Sequence, residues 1–375
     1  MTTLDGGVII KKGGGGTSPA PMPSAPIAEN DVTFYDYDGT VLYAYTKEEF
    51  LALTAMPPLP TRERLICQEW NWTWEEAYDY VSKYGICMIG ATYTTDDGAT
   101  RVTFDFTSPA RLTQQALMTF SVNEGGVVEL DWGDGSPIET YSEGSYLESF
   151  HFYKERRTYT ATIKPISGTF KLAWIYDCGP LITEINFGEN CTIDSYGLND
   201  MSALRAVTFP KSFTGGSSLL HLNVNLQCIV IPTADTLKNI YGNILGLKIL
   251  CFPSSIKTLP ASSGNGFGDL LTRFVIPAGV TEIPSGYFKN TYLYEVGIPK
   301  SVITIRDYAF DNAYYIFHID LSQHEQIPTL GKTVFYNTTK IIVPDNLYDA
   351  WIAATNWSAI AGQIIKKSDW DALNA

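Results

Sequence analysis

A short pattern that recurs between residues 182 and 344 constrains the fold of this chain more than any other feature. The pattern is Leu-x-x-Φ-x-[Ile/Phe]-Pro, where Φ is an apolar residue. Full copies occupy residues 204–210, 226–232, 247–253, 271–277 and 293–299. Their prolines lie 22, 21, 24 and 22 residues apart, and degenerate copies flank them at 182–188, 316–322 and 341–344. A solenoid of about eight coils with atypical end copies is therefore predicted.

The spacing of the apolar residues indicates that each copy enters a short strand from a turn. Alternate strand residues point to opposite sides, so Leu, Φ and Ile/Phe would share the inner side of a coil. Proline follows because it cannot donate to the next rung of a ladder. Val280 and Ile283 continue the inward set, and Phe288 and Phe310, each eleven residues past a proline, would fill the coil interior. One coil cannot bury these side chains, but a stack can.

These repeats resemble the leucine-rich-repeat family in its BspA-like bacterial and phage branch. The resemblance is carried by FVIPAGVTEIPSGYFKNTYLYEVGIP at 274–299 and by SVITIRDYAFDNAYYIFHIDL at 301–321. It implies a leucine-rich-repeat solenoid over residues 177–344. The alternative, a β-sandwich with regularly spaced strands, leaves the fixed proline and phenylalanine offsets unexplained.

The remaining residues divide into further segments, so the predicted fold class is multidomain and mainly β. Residues 1–30 are a Gly/Pro-rich arm that cannot build a core of its own. An anchoring strand that adds to a neighbouring sheet is predicted at Val8, Ile9, Ile10, Lys11 and Lys12. The alternative interpretation of this arm is a tag or a loose linker.

Residues 31–107 are predicted to form a small, aromatic-rich α/β domain. Strands are expected at 32–35, 40–45, 86–94 and 100–106. The last two are expected to pair as a hairpin around Asp97-Gly98. Capping boxes predict helices that begin at Thr46 and at Thr73. Trp70, Trp72 and Trp74 are expected to pack in the core and at its rim, and a ligand platform is the alternative.

Residues 108–176 are predicted to form a compact β-sandwich. The sequence VVELDWGDGSPIETY, followed later by Tyr159-Thr160-Ala161, resembles the polycystic-kidney-disease-type (PKD) domain. This PKD-like resemblance implies a turn at Asp134-Gly135, a core position for Trp132, and a spacer or adhesion role. After the repeats, residues 345–363 have the pattern of an amphipathic helix. A C-terminal capping helix and tail are therefore predicted over 345–375.

Charge and cysteine content exclude several classes of function. The formal net charge is −14, from 26 basic and 40 acidic residues. Nucleic acid and anionic membranes need a basic face, so neither is a predicted partner. No cofactor or metal site is predicted, because the cysteines lack Cys-x-x-Cys spacing and the histidines lack ligand spacing. Most cysteines are expected to be buried free thiols, and a Cys178–Cys191 disulfide is the alternative.

The sequence Asp36-x-Asp38-Gly39-Thr40-Val41 matches the first motif of haloacid-dehalogenase-type phosphatases. That match implies a nucleophile at Asp36, a general acid at Asp38, and Mg²⁺ between the carboxylates. The alternating β/α pattern that this fold requires is missing. A plain Asp-Gly hairpin is therefore the preferred interpretation, and no enzyme activity is predicted.

The repeat strands also present a candidate binding surface. Residues two and four positions before each proline face away from the coil interior, and in the middle coils several are apolar or cysteine. Exposed apolar patches mark interfaces. A surface that docks on a partner protein or on another domain of the same assembly is therefore predicted at Val230, Ile249, Cys251, Arg273 and Val275.

The order of these modules resembles that of minor structural proteins of phages and prophages. This resemblance implies a non-enzymatic, fibre-like protein on the virion exterior. Its arm would bind other virion proteins, and its solenoid would bind a host surface protein or glycan. The sequence shows neither a transmembrane helix nor a signal peptide, which favours a virion over the runner-up, a bacterial surface adhesin. A Mg²⁺-dependent phosphatase is the third alternative, and homo-oligomer formation is left open.

Overall fold

The computed structural model describes residues 31–108, 114–173, 176–193, 197–213, 220, 223–234, 244, 246–259, 267, 270–336 and 339–374. Strand is the main secondary structure, arranged in several sheets and in a β-solenoid of about seven turns. Within the residues described, no helix is both long enough and apolar enough to cross a membrane.

A four-stranded sheet and two helices form the N-terminal α/β unit, residues 31–95. Its strands are β1 (Val32–Tyr35), β2 (Val41–Tyr45), β3 (Leu65–Trp70) and β4 (Cys87–Thr95). They lie in the order β2-β1-β4-β3, with β1 parallel to β4 and the other pairs antiparallel. Helices α1 (Lys47–Leu51) and α2 (Trp74–Tyr84) both begin at complete capping boxes, as predicted. In each box a threonine hydroxyl and a glutamate satisfy backbone N–H groups of the first turn.

A second, eight-stranded sheet joins residues 100–172 to the first coils of the solenoid. Its strands are β5 (Thr100–Asp105), β6 (Gln115–Asp131), β7 (Glu139–Phe152), β8 (Thr158–Ser167), β9 (Phe170–Leu172), β10 (Ile182–Asn186), β11 (Cys191–Ile193) and β12 (Ala206–Thr208). They lie in the order β11-β9-β6-β8-β5-β10-β12, and β7 pairs with β6. Trp132 is fully buried, as expected, in a core that continues from this sheet into the solenoid.

The predicted hairpin between β4 and β5 is wrong, although both strands form. Strand β4 has no free edge because β1 and β3 occupy both of its sides. The Asp97 carboxylate accepts a hydrogen bond from the N–H of Ala99, and Gly98 has a φ of +73°, so the predicted turn is present. It carries the chain out of the first sheet, and β5 pairs with β8 and β10 in the second.

The solenoid contributes one short strand per coil, and neighbouring strands pair in groups of two or three. The strands are β13 (Cys228–Val230), β14 (Ile249–Cys251), β15 (Arg273–Val275), β17 (Glu295–Gly297), β19 (His318–Asp320) and β21 (Lys340–Val343). A second column contains β16 (Glu282–Ile283), β18 (Thr304–Ile305) and β20 (Thr329–Leu330), and all pairings within both columns are parallel. Every Leu, Φ and Ile/Phe of the five full copies is buried, as predicted.

Aromatic side chains fill the interior of the later coils of the solenoid. Phe288 and Phe310 are buried, as predicted, and their rings stack with centroids 5.0 Å apart. Phe310 stacks in turn on Phe335 at 5.5 Å. Phe288, Phe310 and Phe335 therefore form a ladder of stacked rings across three successive coils.

The C-terminal cap is helical but is not the continuous helix predicted over 345–363. It contains a 3₁₀ turn (Asp345–Leu347), α3 (Tyr348–Ala353), 3₁₀ turns (Trp357–Gln363), β22 (Ile364–Lys366) and α4 (Lys367–Asn374). Ala354 is extended and Asn356 has a φ of +64°, so the helical path breaks there. Trp351 and Trp357 are buried against each other, and β22 pairs parallel with β21. The cap closes both the core and the strand edge of the last coil.

Most of the cysteines whose side chains the structure describes are buried free thiols, as predicted. Cys87, Cys191, Cys228 and Cys251 are buried and free, and Cys67 is free and half-buried. The alternative of a Cys178–Cys191 disulfide is therefore wrong. Burial raises the pKa of Cys191 to about 12, which keeps this thiol neutral.

Candidate interaction surfaces

The N-terminal α/β unit covers the outward side of β12, β13, β14, β15 and β17, which is called the sheet face below. Three residues of the predicted partner-binding set, Val230, Cys251 and Val275, belong to a hydrophobic core shared with that unit. They are 5%, 0% and 4% exposed. Every residue of β4 is also buried. The sheet face is therefore an internal contact of this chain.

Glycines allow the two surfaces to approach closely. A Cβ at Gly90 of β4 would lie 2.4 Å from a methyl carbon of Val230. A Cβ at Gly39 would lie 3.2 Å from the Cβ of Cys228 and 3.4 Å from Cδ1 of Ile249. These distances leave no room for a side chain at position 90 and little at position 39. Glycine in a strand marks such an approach by another part of the chain.

Asn71 fixes the register of this contact through buried hydrogen bonds. Its side-chain amide donates to the carbonyl of Ile231 at 3.3 Å and to that of Cys251 at 3.1 Å. Its side-chain oxygen accepts from the N–H of Gly90 at 2.8 Å. A shifted arrangement would leave these buried groups unpaired, which is costly.

Two aromatic residues bind the solenoid backbone farther along the sheet face. The indole of Trp72 donates to the carbonyl of Phe252 at 2.8 Å, and the hydroxyl of Tyr80 donates to that of Ile276 at 2.7 Å. Trp70 and Trp72 are buried and Trp74 is half-buried, so the tryptophans pack in the core and at its rim, as predicted. Each ring contributes apolar area while its polar atom finds a partner.

Arg273, the charged member of the predicted set, also binds within the chain. Its guanidinium donates to the carbonyl of Asp31 at 2.7 Å and pairs with Glu295 at 2.6 Å. Burial raises the pKa of Glu295, and the charge of Arg273 opposes that shift. Ile249 lies half-buried at the margin of the same contact.

The structure therefore brings Val230, Ile249, Cys251, Arg273 and Val275 together on one surface, and of the two predicted occupants it is another unit of the same chain that this surface contacts. The chain's own N-terminal unit supplies the complementary surface. One sequence signal for this arrangement was missed. Strand β4 reads CMIGATYTT, an apolar run around a glycine, which is typical of a strand covered on both faces.

The phosphatase-like segment forms the Asp-Gly turn between antiparallel β1 and β2. The buried carboxylate of Asp36 accepts from the N–H of Tyr37 at 2.9 Å and from the hydroxyl of Tyr93 at 2.7 Å, and it pairs with Arg62. Asp38 accepts from the N–H of Thr40 at 2.9 Å. Across the described part of the chain, no group of three or more His, Cys, Asp or Glu side chains could hold a metal ion.

The Trp-Gly-Asp-Gly segment forms a turn, as the PKD-like resemblance implied, with φ values of +76° and +84° at Gly133 and Gly135. The Asp134 carboxylate accepts from the N–H of Ser136 at 3.0 Å and pairs with His151 at 2.9 Å. Desolvation opposes these hydrogen bonds, but together they lower the pKa of Asp134 to about 2. The cluster ties β7 to the turn that follows β6.

A groove of about 570 Å³ lies along the seam between the α/β unit and the solenoid. Trp74, Leu59 and Pro253 contribute to its apolar lining. Its charged groups already have partners in the chain, since Glu69 pairs with Lys211 at 2.7 Å. Glu76, despite partial burial, has a lowered pKa because Ser254 and Thr73 donate hydrogen bonds to it. This groove therefore offers few unpaired polar groups for the ligand platform considered from sequence.

An exposed aromatic surface lies on the C-terminal coils, and it is called the tyrosine ridge below. Its members are Asn290, Tyr292, Asn312, Tyr314, Tyr315 and Tyr336. Tyr292 and Tyr314 are 44% and 46% exposed. Tyr292 packs edge-on against Tyr315 at 5.1 Å, and Tyr314 against Tyr336 at 4.8 Å. These contacts link three successive coils into one surface.

Amide groups run beside the rings of the tyrosine ridge. The side chain of Asn312 donates to that of Asn290 at 2.9 Å, and the hydroxyl of Tyr314 donates to Asn312 at 2.8 Å. The nearest charges are paired, because Lys289 lies 2.9 Å from Asp311. The ridge is thus an ordered, uncharged surface with both apolar and hydrogen-bonding groups.

The tyrosine ridge was not among the predicted sites, although the repeat contains its signal. Asn290 and Tyr292 lie two and four residues after Phe288, and Asn312 and Tyr314 lie two and four after Phe310. A polar or aromatic residue at a fixed offset from a buried one occupies the same outward place in successive coils. Aligning the outward positions, as well as the inward ones, would have revealed it.

The predicted anchoring residues Val8, Ile9, Ile10, Lys11 and Lys12 lie outside the described residues. Their role stays a prediction.

Comparison with protein families identifies the repeats. A family described as the BspA type leucine-rich repeat region matches in six copies, at residues 138–246, 173–265 and 267–350, which together cover more than half of the chain. A comparison with curated proteins found no match. The matched repeats include the whole tyrosine ridge.

Proposed function

Because the chain belongs to the BspA-type leucine-rich-repeat family, we propose that it is a surface-displayed recognition protein without enzymatic activity. In the narrower form of this proposal, it is a virion-exterior protein that binds a host surface component through its solenoid. Residues 108–176 serve as a PKD-like spacer, and the N-terminal arm anchors the chain to other virion proteins.

The tyrosine ridge is the observation that carries this proposal. Tyrosine presents a large, rigid contact area with a polar tip, and it is enriched among the residues that dominate binding energies. On the ridge, contacts between neighbouring coils hold the exposed rings of Tyr292 and Tyr314 in place. Ordering before binding lowers the entropic cost of association.

Two other surfaces of the solenoid, the sheet face and the end of the last coil, are occupied within the chain, which supports the same assignment. The α/β unit covers the sheet face, and the C-terminal cap closes the last coil. Net charge of −14 disfavours a polyanionic ligand, so a neutral host-surface group fits this ridge best.

A cell-binding assay tests recognition by the ridge. Fluorescently labelled protein is titrated onto cells of the producing bacterial strain, with the Tyr292→Ser/Tyr314→Ser variant beside it. Two central tyrosines at about 2 kcal/mol each would weaken binding by roughly three orders of magnitude. Tyr78→Ser is the matched control, because Tyr78 is 39% exposed on α2, away from the ridge.

Equal binding by the double variant and the native chain would remove the ridge from this role. Loss of binding in Tyr78→Ser as well would point to a general surface effect.

The location of the protein distinguishes the virion proposal from the alternative, in which the chain is a bacterial surface adhesin with the same modules. Mass spectrometry of density-purified phage particles from a producing culture should recover peptides of residues 31–375 in stoichiometric amount. Recovery in the cell-envelope fraction, with none in particles, would favour the adhesin.

Support for a non-enzymatic role comes from the pairing of Asp36 with Arg62, Tyr37 and Tyr93, which occupies the carboxylate that a phosphatase would use as nucleophile. The test is Mg²⁺-dependent turnover of p-nitrophenyl phosphate. We expect equal background rates for the native chain and Asp36→Asn. Turnover that this substitution abolishes would establish the phosphatase alternative.

A further inference from the structure

Strand β7 is a long edge strand whose second side is open. It extends over 14 residues, Glu139–Phe152, and pairs with β6 along one side. In the part of the chain that the structure describes, no strand pairs with its other side. A row of free N–H and C=O groups on such an edge is a template for an added strand.

The exposed face of β7 carries an apolar pair next to this open edge. Phe150 and Phe152 are 52% and 66% exposed, and they share one face because strand residues alternate. Ser149 and His151 between them face the core side, where His151 stacks on Trp132. Two adjacent exposed phenylalanines are an unusual surface for a free strand, and they indicate that something covers it.

An acidic residue continues the same face. Glu148 lies two positions before Phe150 and is exposed. Read from Phe152 backwards, the outer face of β7 therefore presents two aromatic side chains and then a carboxylate. A matching strand would present two apolar side chains and then a cation, at alternate positions.

The N-terminal arm contains this pattern once. Val8, Ile10 and Lys12 lie at alternate positions and present apolar, apolar and cationic side chains in that order. In an antiparallel pairing, Val8 would lie opposite Phe152, Ile10 opposite Phe150, and Lys12 opposite Glu148. Directly opposite residues in such a pair bring their side chains into contact.

We propose that the open edge of β7 binds residues Val8–Lys12 of a second copy of this chain, in that antiparallel register. This assembly contact deepens the proposed anchoring role of the arm and is independent of recognition by the tyrosine ridge. Eighteen residues lie between Lys12 and Asp31, and at about 3.3 Å per residue they span up to roughly 60 Å. The strand can therefore reach a neighbouring molecule. Main-chain hydrogen bonds would provide affinity, and the alternating side chains would provide specificity.

A charge-swap experiment on the full chain tests both the contact and its register. Self-association is measured by analytical ultracentrifugation for the native chain, Lys12→Glu, Glu148→Lys and the double variant with both changes. Each single reversal should raise the dissociation constant about tenfold, because two like charges would then lie opposite each other. The double variant should recover most of the lost affinity. Glu75→Lys is the matched control, because Glu75 is an exposed acid on α2. Circular dichroism confirms that each variant is folded.

The occupant is tested by deleting residues 1–14. This variant should be monomeric, and a synthetic peptide of residues 5–14 should bind it, with Ile10→Asp in the peptide abolishing binding. The deletion variant could instead associate as strongly as the native chain and lose that association when Phe152→Lys is added to it. This result would mean that β7 pairs with another β7, and it would overturn the arm as occupant.

Two other results would also overturn the proposal. One is a full chain that stays monomeric at all concentrations. If Lys12→Glu nevertheless increases hydrogen exchange in β7 of that monomer, the arm binds the β7 edge of its own chain. The other is a double charge variant that associates no better than the single reversals. The Tyr292→Ser/Tyr314→Ser variant should associate normally, so failure of recognition and failure of assembly are distinguishable.

Discussion

Substituting Gly90 by alanine should dislodge the α/β unit from the solenoid through one steric contact. The added methyl would lie 2.4 Å and 2.6 Å from the two γ carbons of Val230, and 3.0 Å from its Cβ. Val230 is buried and β-branched, so its side chain has few alternative rotamers with which to avoid the methyl. Overpacking of this kind costs about 1–3 kcal/mol, and we expect the upper end here.

The reciprocal substitution makes the prediction quantitative. Val230→Ala removes two buried carbon atoms, which at about 0.8 kcal/mol each plus a cavity term costs about 2 kcal/mol. Independent effects would add to about 5 kcal/mol in the double variant. Because the alanine at 230 removes both γ carbons that block the new methyl, the double variant should instead cost about 2–3 kcal/mol.

The free energy of unfolding is measured by urea titration with circular dichroism, and hydrogen exchange in residues 70–95 reports on the α/β unit. Gly362→Ala is the control, because its added methyl would point into open space. Additivity of the two substitutions within about 0.5 kcal/mol would refute the reasoning, since it would mean that positions 90 and 230 do not touch.

Further predictions concern the seam and the C-terminal cap. Asn71→Ala should cost about 3 kcal/mol in urea unfolding, because it leaves the buried N–H of Gly90 without a partner; a cost below about 1 kcal/mol would contradict this. Trp357→Ala should cost about 3–5 kcal/mol and speed hydrogen exchange in β21 and β22 but not in β13, whereas uniform acceleration would argue against a local cap. Burial lowers the pKa of His324, so the folded state binds fewer protons than the unfolded state, and stability falls as pH decreases below about 6.5. The thermal midpoint of His324→Asn should therefore fall less than that of the native chain between pH 7 and pH 5.5, and parallel pH profiles would exclude this histidine.

Much of the solenoid could be predicted because its rules are local. The strand of each coil and its inward Leu, Φ and Ile/Phe follow from the spacing in a single repeat, as do the buried rings of Phe288 and Phe310 eleven residues past their prolines. The capping boxes at Thr46 and Thr73 were equally readable, since a cap needs only a neighbour three residues away. In these segments a residue's place depends on neighbours within about one coil of sequence.

The candidate sites were harder to predict because exposure is a property of the whole molecule. The outward positions of β13, β14 and β15 look like a free apolar patch in the sequence, yet the chain's own β4 covers them. The turn at residues 97–98 and the strands on either side of it were predicted correctly. The partner of β5 was not, because both edges of β4 are occupied by β1 and β3. The tyrosine ridge was readable in the repeat phase, but its value as a surface depended on nothing else covering it.

Sequence alone therefore supplied the repeat, its inward residues and the local caps, because short-range periodicity dictates which side chains share a face. Only the tertiary structure decided which outward surfaces of the solenoid are covered by the α/β unit and which remain exposed. Gly90 and Val230 lie 140 residues apart. No local sequence pattern predicts that the methyl groups of Val230 occupy the space left by the absent side chain at Gly90. Complementary shape and buried hydrogen bonds select that contact, and so leave the tyrosine ridge and the open edge of β7 available to other molecules.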